Sequence, residues 1–107
     1  EEIVMFLNEK EGTVISKFLK SLDKYDEEEM TLIWSGGATI TAKFDTCFED
    51  ENEFEETDIR YEEFTTFVFE TICISGNPPV FITEDNFFCV NYHNFPDKII
   101  VGNTKIN

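Results

Sequence analysis

The first clear periodicity of apolar residues in this chain is that of a helix. In TVISKFLKSLDKY the apolar positions follow the spacing of one helical face, at Val14, Ile15, Phe18, Leu19 and Leu22. Thr13 is a suitable N-cap, and Gly12 interrupts whatever precedes it. The pattern therefore predicts an amphipathic helix over residues 13–24. The short apolar run Ile3–Leu7 fits either a helical turn or a buried strand.

From residue 30 onwards the apolar pattern changes to the alternation of β-strands. The runs that fit this alternation lie at residues 30–35, 38–48, 61–74, 80–83, 87–92 and 98–102. Gly36 and Gly37 supply the positive φ angles of a tight hairpin turn between the first two runs. Pro78 and Pro79 cannot donate hydrogen bonds to a sheet, so they end the third.

The two long predicted strands differ in how their faces are occupied. Strict alternation places Ile40, Ala42, Phe44, Thr46 and Phe48 on one face of the strand 38–48, and Lys43, Asp45 and Cys47 on the other. In the strand 61–74 both alternate sets of side chains are partly apolar. This predicts a central strand that is at least half buried on each face.

Composition supports a fold rich in β-structure. Aromatic residues make up 15% of the chain, and aromatic side chains favour pleated, half-buried surfaces. A chain of 107 residues is long enough for one hydrophobic core. We therefore predict one α+β domain over residues 1–107. Its N-terminal amphipathic helix is followed by about five antiparallel strands that form a small barrel or a strongly curved sheet.

The order of these elements resembles that of the Sm-like branch of small SH3-type β-barrels. The segment WSGGATITAKF, residues 34–44, is similar to the strand–glycine–strand opening of that family, and Ala42 falls where the family has a small glycine. The resemblance implies a small barrel that assembles with others through its strand edges. The RNA-binding Asp–Asn pair and the basic RNA-facing residues of the family have no match here, so the resemblance does not imply RNA binding.

The charge of the chain restricts its possible partners more than its composition does. The net charge is −15 and the isoelectric point is about 4.1, which repels nucleic-acid phosphates and anionic lipid headgroups and attracts basic surfaces. Residues 44–97 hold 14 of the 23 acidic residues and a single base, Arg60. We therefore expect a basic protein as partner, with no direct binding of nucleic acid or membrane.

Cysteine usage and hydropathy favour a soluble, cytoplasmic protein. Cys47, Cys73 and Cys89 leave at least one cysteine unpaired, which favours reduced thiols over a disulfide framework. No apolar run approaches the roughly 18 residues of a membrane-spanning helix. The run Ile3–Leu7 also lacks the basic flank of a signal peptide. We expect the protein to be a monomer or a dimer.

The sequence carries no strong catalytic or metal-binding pattern. His93 follows Cys89 by four residues, but strand-end placement favours a buried thiol and a half-exposed imidazole over a catalytic pair. A zinc site lacks its second pair of ligands. In the acidic run, Glu55 stands where a calcium-binding EF-hand loop needs glycine. We predict no enzyme activity, no cofactor and no dedicated metal site, and weak divalent-ion binding stays as an alternative function.

The acidic run FEDENEFEETDIRYEEF, residues 48–64, is the candidate functional segment. Its nine carboxylates repel one another and destabilise the compact state, although a few charges suffice for solubility. Aromatic residues among acids are typical of a binding patch whose rim steers a basic partner. There are two competing interpretations. The run is a solvated surface segment that keeps the protein soluble, or Phe54 packs against the core. The candidate partner-binding residues are Glu51, Glu53, Phe54, Glu55, Glu56, Asp58 and Tyr61, with Trp34 as a secondary candidate that, as a strand residue, is more typical of the core.

These patterns predict a small acidic protein that inhibits a basic, nucleic-acid-binding protein by stoichiometric contact. In size and charge the chain resembles two groups of inhibitors. One is the immunity proteins, which cap toxins that degrade nucleic acids, and the other is the anti-defence proteins, which mimic nucleic acid to block a defence nuclease. The alternatives are an Sm-like assembly subunit without catalytic activity and a weak binder of divalent ions.

Overall fold

The computed structural model describes residues 9–25 and 27–106, which form one helix followed by six strands. The helix α1 spans Glu9–Tyr25, and the strands are β1 (Glu29–Ile33), β2 (Thr39–Glu51), β3 (Glu63–Ser75), β4 (Phe87–Val90), β5 (Lys98–Val101) and β6 (Thr104–Lys105). All neighbouring strands are antiparallel, in the order β4-β3-β2-β1-β5-β6. The predicted α+β class is confirmed. The apolar run Ile3–Leu7 lies outside the described residues.

The sheet is open rather than closed. Within the described ranges, β4 and β6 are its two edge strands, and they do not pair with each other. A barrel requires its first and last strands to meet. The barrel implied by the Sm-like resemblance is therefore not found, and the six strands form one sheet with the helix on one of its faces.

Helix α1 packs its apolar side against the sheet. Ile15 and Phe18 are completely buried. The Phe18 ring meets the ring of Phe67 on β3 edge-on, with centroids 5.1 Å apart, and the ring of Phe95 at 5.6 Å. Edge-to-face contacts of this kind add to the stabilisation from burial. The predicted apolar face of the helix is thus confirmed.

The helix begins earlier than the sequence predicted. Gly12 lies inside it, and the hydroxyl of Thr13 donates a hydrogen bond to the carbonyl of Glu9 at 3.3 Å, so Thr13 is not the N-cap. Glu9 and Glu11 give the first turn the negative charge that helix N-termini favour. Glu11 is fully buried and accepts hydrogen bonds from the backbone N–H and the hydroxyl of Thr65 on β3. This contact attaches the first turn of the helix to the sheet.

A bulge between Phe44 and Thr46 reverses the alternation of side chains along β2. Beyond the bulge, Cys47 stands opposite Phe67, which faces the helix. Phe48 lies on the other face and is 47% exposed. The strict alternation expected for this strand was therefore wrong after residue 44, because the extra residue of a bulge moves every later side chain to the opposite face.

The last third of the chain differs from prediction at two places. Residues 80–83 do not form a strand. Thr83 begins a tight turn instead: its carbonyl accepts a hydrogen bond from the N–H of Asn86 (3.0 Å), and its hydroxyl accepts one from the N–H of Phe87 (3.1 Å). Asn86 supports this turn with a positive φ of 67°. Strand β6, in contrast, was not predicted, because its two residues are too few to show the alternation of apolar and polar side chains that is typical of a strand.

Strands β2 and β3 form a hairpin that extends past β1. The pairing of β1 with β2 ends at Glu29 and Lys43, whereas β2 continues to pair with β3 as far as Glu51 and Glu63. Residues 52–62 close this hairpin and are called the acidic loop below. The long hairpin therefore carries the whole acidic run, residues 48–64, beyond the last residue pair between β1 and β2.

Candidate protein-binding site

The side chain of Asn52 closes the acidic loop across its base. Its Nδ2 donates to the carbonyl of Arg60 at 2.7 Å, and its Oδ1 accepts hydrogen bonds from the N–H groups of Phe54 and Glu62, each at 3.3 Å. The backbone N–H of Asn52 also donates to the carbonyl of Glu62 at 3.2 Å. One amide side chain thus bridges both strands of the loop, as asparagine does in Asx turns.

A second group of contacts shapes the far part of the loop. Asp58 Oδ1 accepts hydrogen bonds from the N–H of Arg60 at 2.8 Å and from its Nε at 3.0 Å, while Oδ2 accepts one from Nη2 at 2.8 Å. The Arg60 guanidinium also lies over the ring of Phe54. The hydrogen bonds from Arg60 lower the pKa of Asp58. The single base of the run is therefore part of the internal structure of the loop.

The acidic loop is attached to the rest of the sheet through Glu62. One carboxylate oxygen accepts a hydrogen bond from the hydroxyl of Tyr92 at 2.5 Å, and the other lies 2.6 Å from Nε2 of His93. The ring of Phe64 packs against the rings of Tyr92 and His93, with centroids 6.3 Å and 5.7 Å away, respectively. The bond from Tyr92, followed by that from His93, lowers the pKa of Glu62. Burial and the nearby carboxylate raise the pKa of Tyr92 to about 12.

On the opposite flank of the loop, Tyr61 is tied to β2. Its hydroxyl donates a hydrogen bond to Glu51 Oε2 at 2.6 Å. This bond, with additional repulsion from Glu63 and Glu56, raises the pKa of Tyr61 above its ordinary value. Tyr61 therefore stays neutral and serves as a hydrogen-bond donor over the range in which the carboxylates are charged.

Most of the candidate residues gather around one shallow depression on the surface of the acidic loop. Its lining consists of Glu51, Phe54, Glu55, Glu56, Thr57 and Tyr61. Glu53 is also exposed. The carboxylate of Asp58, in contrast, forms a salt bridge with Arg60. Trp34 is not part of this surface, because it is only 7% exposed and its Nε1 donates to the carbonyl of Asn94 at 2.8 Å.

The sequence patterns did not point to three residues that shape the acidic loop or stand exposed on it. Asn52 and Glu62 hold the loop in shape, and Ile59 is fully exposed within it. The spacing of Asn52 before Phe54 is a local signal of an Asx turn and could have been recognised. The contact of Glu62 with His93 joins residues 31 positions apart, and no sequence pattern predicts such a contact.

The structure also places the three cysteines, His93 and the possible metal ligands. Cys47, Cys73 and Cys89 are free and exposed, so the expectation of a buried thiol at Cys89 was wrong. His93 contacts Glu62. Among the described residues, no three His, Cys, Asp or Glu side chains are grouped as ligands for a metal ion. No helix in the described ranges is long and apolar enough to cross a membrane.

The comparison with protein families identifies the class to which this chain belongs. A family described as cognate immunity protein YxxD matches residues 13–103, which include the acidic loop and every element from most of α1 to β5. Because this match covers most of the chain, the protein belongs to that family of cognate immunity proteins. The description implies a protein that binds and neutralises a toxin. No curated protein and no solved structure matches this chain at a significant level.

Proposed function

We propose that this protein neutralises its cognate toxin by covering a basic surface of that toxin with the acidic loop. Membership of the immunity family supports a toxin as partner. The exposed carboxylates of Glu53, Glu55 and Glu56 support a basic surface on that toxin. Complementary charge accelerates association, and a loop already held by its own hydrogen bonds loses less conformational entropy on binding.

The proposed contact surface consists of the acidic loop and its immediate flanks. Its residues are Glu51, Glu53, Phe54, Glu55, Glu56, Asp58 and Tyr61. Trp34 is left out because its ring is buried. Inhibition by this surface is stoichiometric, since the protein acts by occupying the toxin.

We further propose that the toxin is a nucleic-acid-binding protein. A surface that binds phosphates is rich in Lys and Arg, and a cluster of carboxylates presented on one loop satisfies the same cations. The same chemistry would suit a defence nuclease, but the family match favours a toxin. On this proposal, added nucleic acid competes with the immunity protein for the toxin.

The test compares two variants with the same net charge. In the first, Glu53, Glu55 and Glu56 on the acidic loop are changed to Gln. In the second, Glu27, Glu28 and Glu84, which are exposed elsewhere, are changed to Gln. The toxin is isolated from source cells with the tagged wild-type protein, identified by mass spectrometry and produced separately. Its dissociation constant for each protein is then measured at low and high salt.

We expect the loop variant to bind about 10- to 100-fold more weakly at low salt, chiefly through slower association, and this loss to shrink at high salt. The control variant should bind within about threefold of wild type, since its removed charges lie outside the interface. Equal affinity of both variants would show that the carboxylates of the acidic loop do not contribute to toxin binding, and it would overturn the proposed function.

The two alternative functions, an Sm-like assembly subunit and a divalent-ion binder, predict different results in simple experiments. An Sm-like assembly subunit would elute as a ring at any salt concentration. A divalent-ion binder would gain thermal stability in micromolar calcium, because a ligand that binds only the folded state stabilises it. We expect a small species in size-exclusion chromatography and an unchanged melting temperature with calcium.

A further inference from the structure

Ile59 is the most exposed large apolar residue among those the structure describes. It is 100% exposed, whereas the next, Phe81, is 81% exposed. The residues on either side of it, Asp58 and Arg60, are fixed by hydrogen bonds to each other. The backbone at Ile59 is therefore held in place while its side chain stands in water.

Phe54, one of the two aromatic residues of the acidic loop, is less accessible to a partner than Ile59. The Arg60 guanidinium lies 4.1 Å from the centroid of its ring, and its side chain is only partly exposed. A partner that used Phe54 as an anchor would first have to displace Arg60. Ile59 needs no such displacement, so the apolar surface that the loop offers to a partner is that of Ile59.

We propose that Ile59 is the apolar anchor of the toxin interface and fills an apolar pocket on the toxin. Around this pocket, Lys or Arg side chains of the toxin would meet Glu53, Glu55 and Glu56. The inference rests on the proposed function and adds a residue and a pocket that charge attraction alone does not require. It defines the partner surface as an apolar pocket within a basic rim.

The distribution of affinity in protein interfaces and the hydrophobic effect both favour an anchor at this position. Interface affinity is concentrated in a few buried side chains near the centre, whereas exposed charges at the rim act mainly on association rate and specificity. Burial of a branched apolar side chain also removes unfavourable contact with water. Since the loop is already ordered, little of this gain is lost to ordering the backbone.

The experiment uses the purified cognate toxin and four variants of the full chain. Ile59→Ala removes the anchor, Ile59→Leu retains an apolar side chain, and Ile59→Asp replaces it with a further carboxylate. Phe81→Ala removes a similarly exposed apolar side chain outside the acidic loop and is the matched control. Association and dissociation rates are measured by surface plasmon resonance at two salt concentrations, and circular dichroism checks that each variant is folded.

We expect Ile59→Ala to weaken binding about 10- to 100-fold, mainly through faster dissociation and equally at both salt concentrations. Ile59→Leu and Phe81→Ala should stay within about threefold of wild type. Ile59→Asp is the most discriminating variant. A purely electrostatic surface would bind a basic toxin at least as well with the added charge, whereas an anchor predicts a loss no smaller than that of Ile59→Ala.

Wild-type affinity of both Ile59→Ala and Ile59→Asp would overturn the inference. If the loop variant lacking three carboxylates still loses affinity in that case, the proposed function stands without an apolar anchor. If that charge variant also binds normally, the proposed function fails and the anchor falls with it.

Discussion

The guanidinium carbon of Arg60 lies 4.1 Å from the centroid of the Phe54 ring, and the same group forms two hydrogen bonds with the carboxylate of Asp58. Arg60 thereby joins an aromatic ring and an acid in the segment with the highest negative charge density. A guanidinium serves this purpose because it can stack on a ring and bind a carboxylate at the same time. Arg60 is thus a structural component of the acidic loop.

This arrangement predicts that Arg60→Ala weakens toxin binding even though it makes the protein more negative. Loss of the side chain frees Asp58 and uncovers Phe54, so the acidic loop becomes less ordered and loses more entropy on binding. We expect faster amide hydrogen exchange within residues 52–62 and a melting temperature close to that of wild type. Hydrogen-exchange mass spectrometry and affinity measurements check both expectations.

The control for Arg60→Ala is Lys98→Ala. Lys98 is an exposed base at the start of β5, outside the acidic loop, and its loss changes the net charge by the same amount. It should leave hydrogen exchange in the loop unchanged. If Arg60→Ala and Lys98→Ala both improved the affinity for the toxin by the same factor, total charge rather than the order of the acidic loop would govern binding.

The contacts of Glu62 predict an acid-dependent contribution to stability. Hydrogen bonds from Tyr92, then from His93, with a weaker attraction from Lys10, lower the pKa of Glu62 in the folded protein. In the unfolded chain a glutamate has a pKa of about 4.3. The carboxylate therefore stabilises the fold fully above that value, and the contribution disappears as the pH falls through the lower folded pKa.

The corresponding measurement compares wild type with Glu62→Gln in urea unfolding between pH 3 and pH 7. The difference in unfolding free energy should shrink as the pH falls below about 5. The comparison with Glu62→Gln is essential, because the other carboxylates of this acidic chain also lose their repulsion at low pH. A difference that stayed constant down to pH 3 would contradict the assigned role of Glu62.

Glu11 provides a test of how the helix is attached to the sheet. It is completely buried and accepts hydrogen bonds from the N–H and hydroxyl of Thr65. Glu11→Ala leaves the Thr65 N–H without this acceptor, and we expect a loss of about 2–3 kcal/mol in unfolding free energy. At about 4–8 °C per kcal/mol for a small domain, the melting temperature should fall by about 10–20 °C.

The control in this case is Thr65→Val, which removes only the hydroxyl and its 3.3 Å hydrogen bond. Its cost should stay below about 1 kcal/mol, because the stronger backbone contact survives. Equal destabilisation by Glu11→Ala and Thr65→Val would mean that the backbone contact contributes little.

Periodicity in the sequence was sufficient for the elements whose burial depends on near neighbours. The helical spacing of Ile15 and Phe18 predicted the face that packs on the sheet, and both residues are fully buried. The acidic run was also correctly recognised as the segment between two long strands. Patterns of this kind are local, since a side chain's face is set by the repeat of its own helix or strand.

Features that depend on contacts between distant parts of the chain could not be predicted from local patterns. The bulge after Phe44 depends on the register of β2 against β3, and it reversed the predicted placement of Phe48. The attachment of Glu62 to His93 depends on how the β3 and β4 ends come together. Local sequence patterns were enough to predict the class of fold and the location of the charge. Tertiary structure alone decided that Arg60 covers Phe54 and leaves Ile59 exposed, because that choice depends on side-chain contacts rather than on any repeat along the chain.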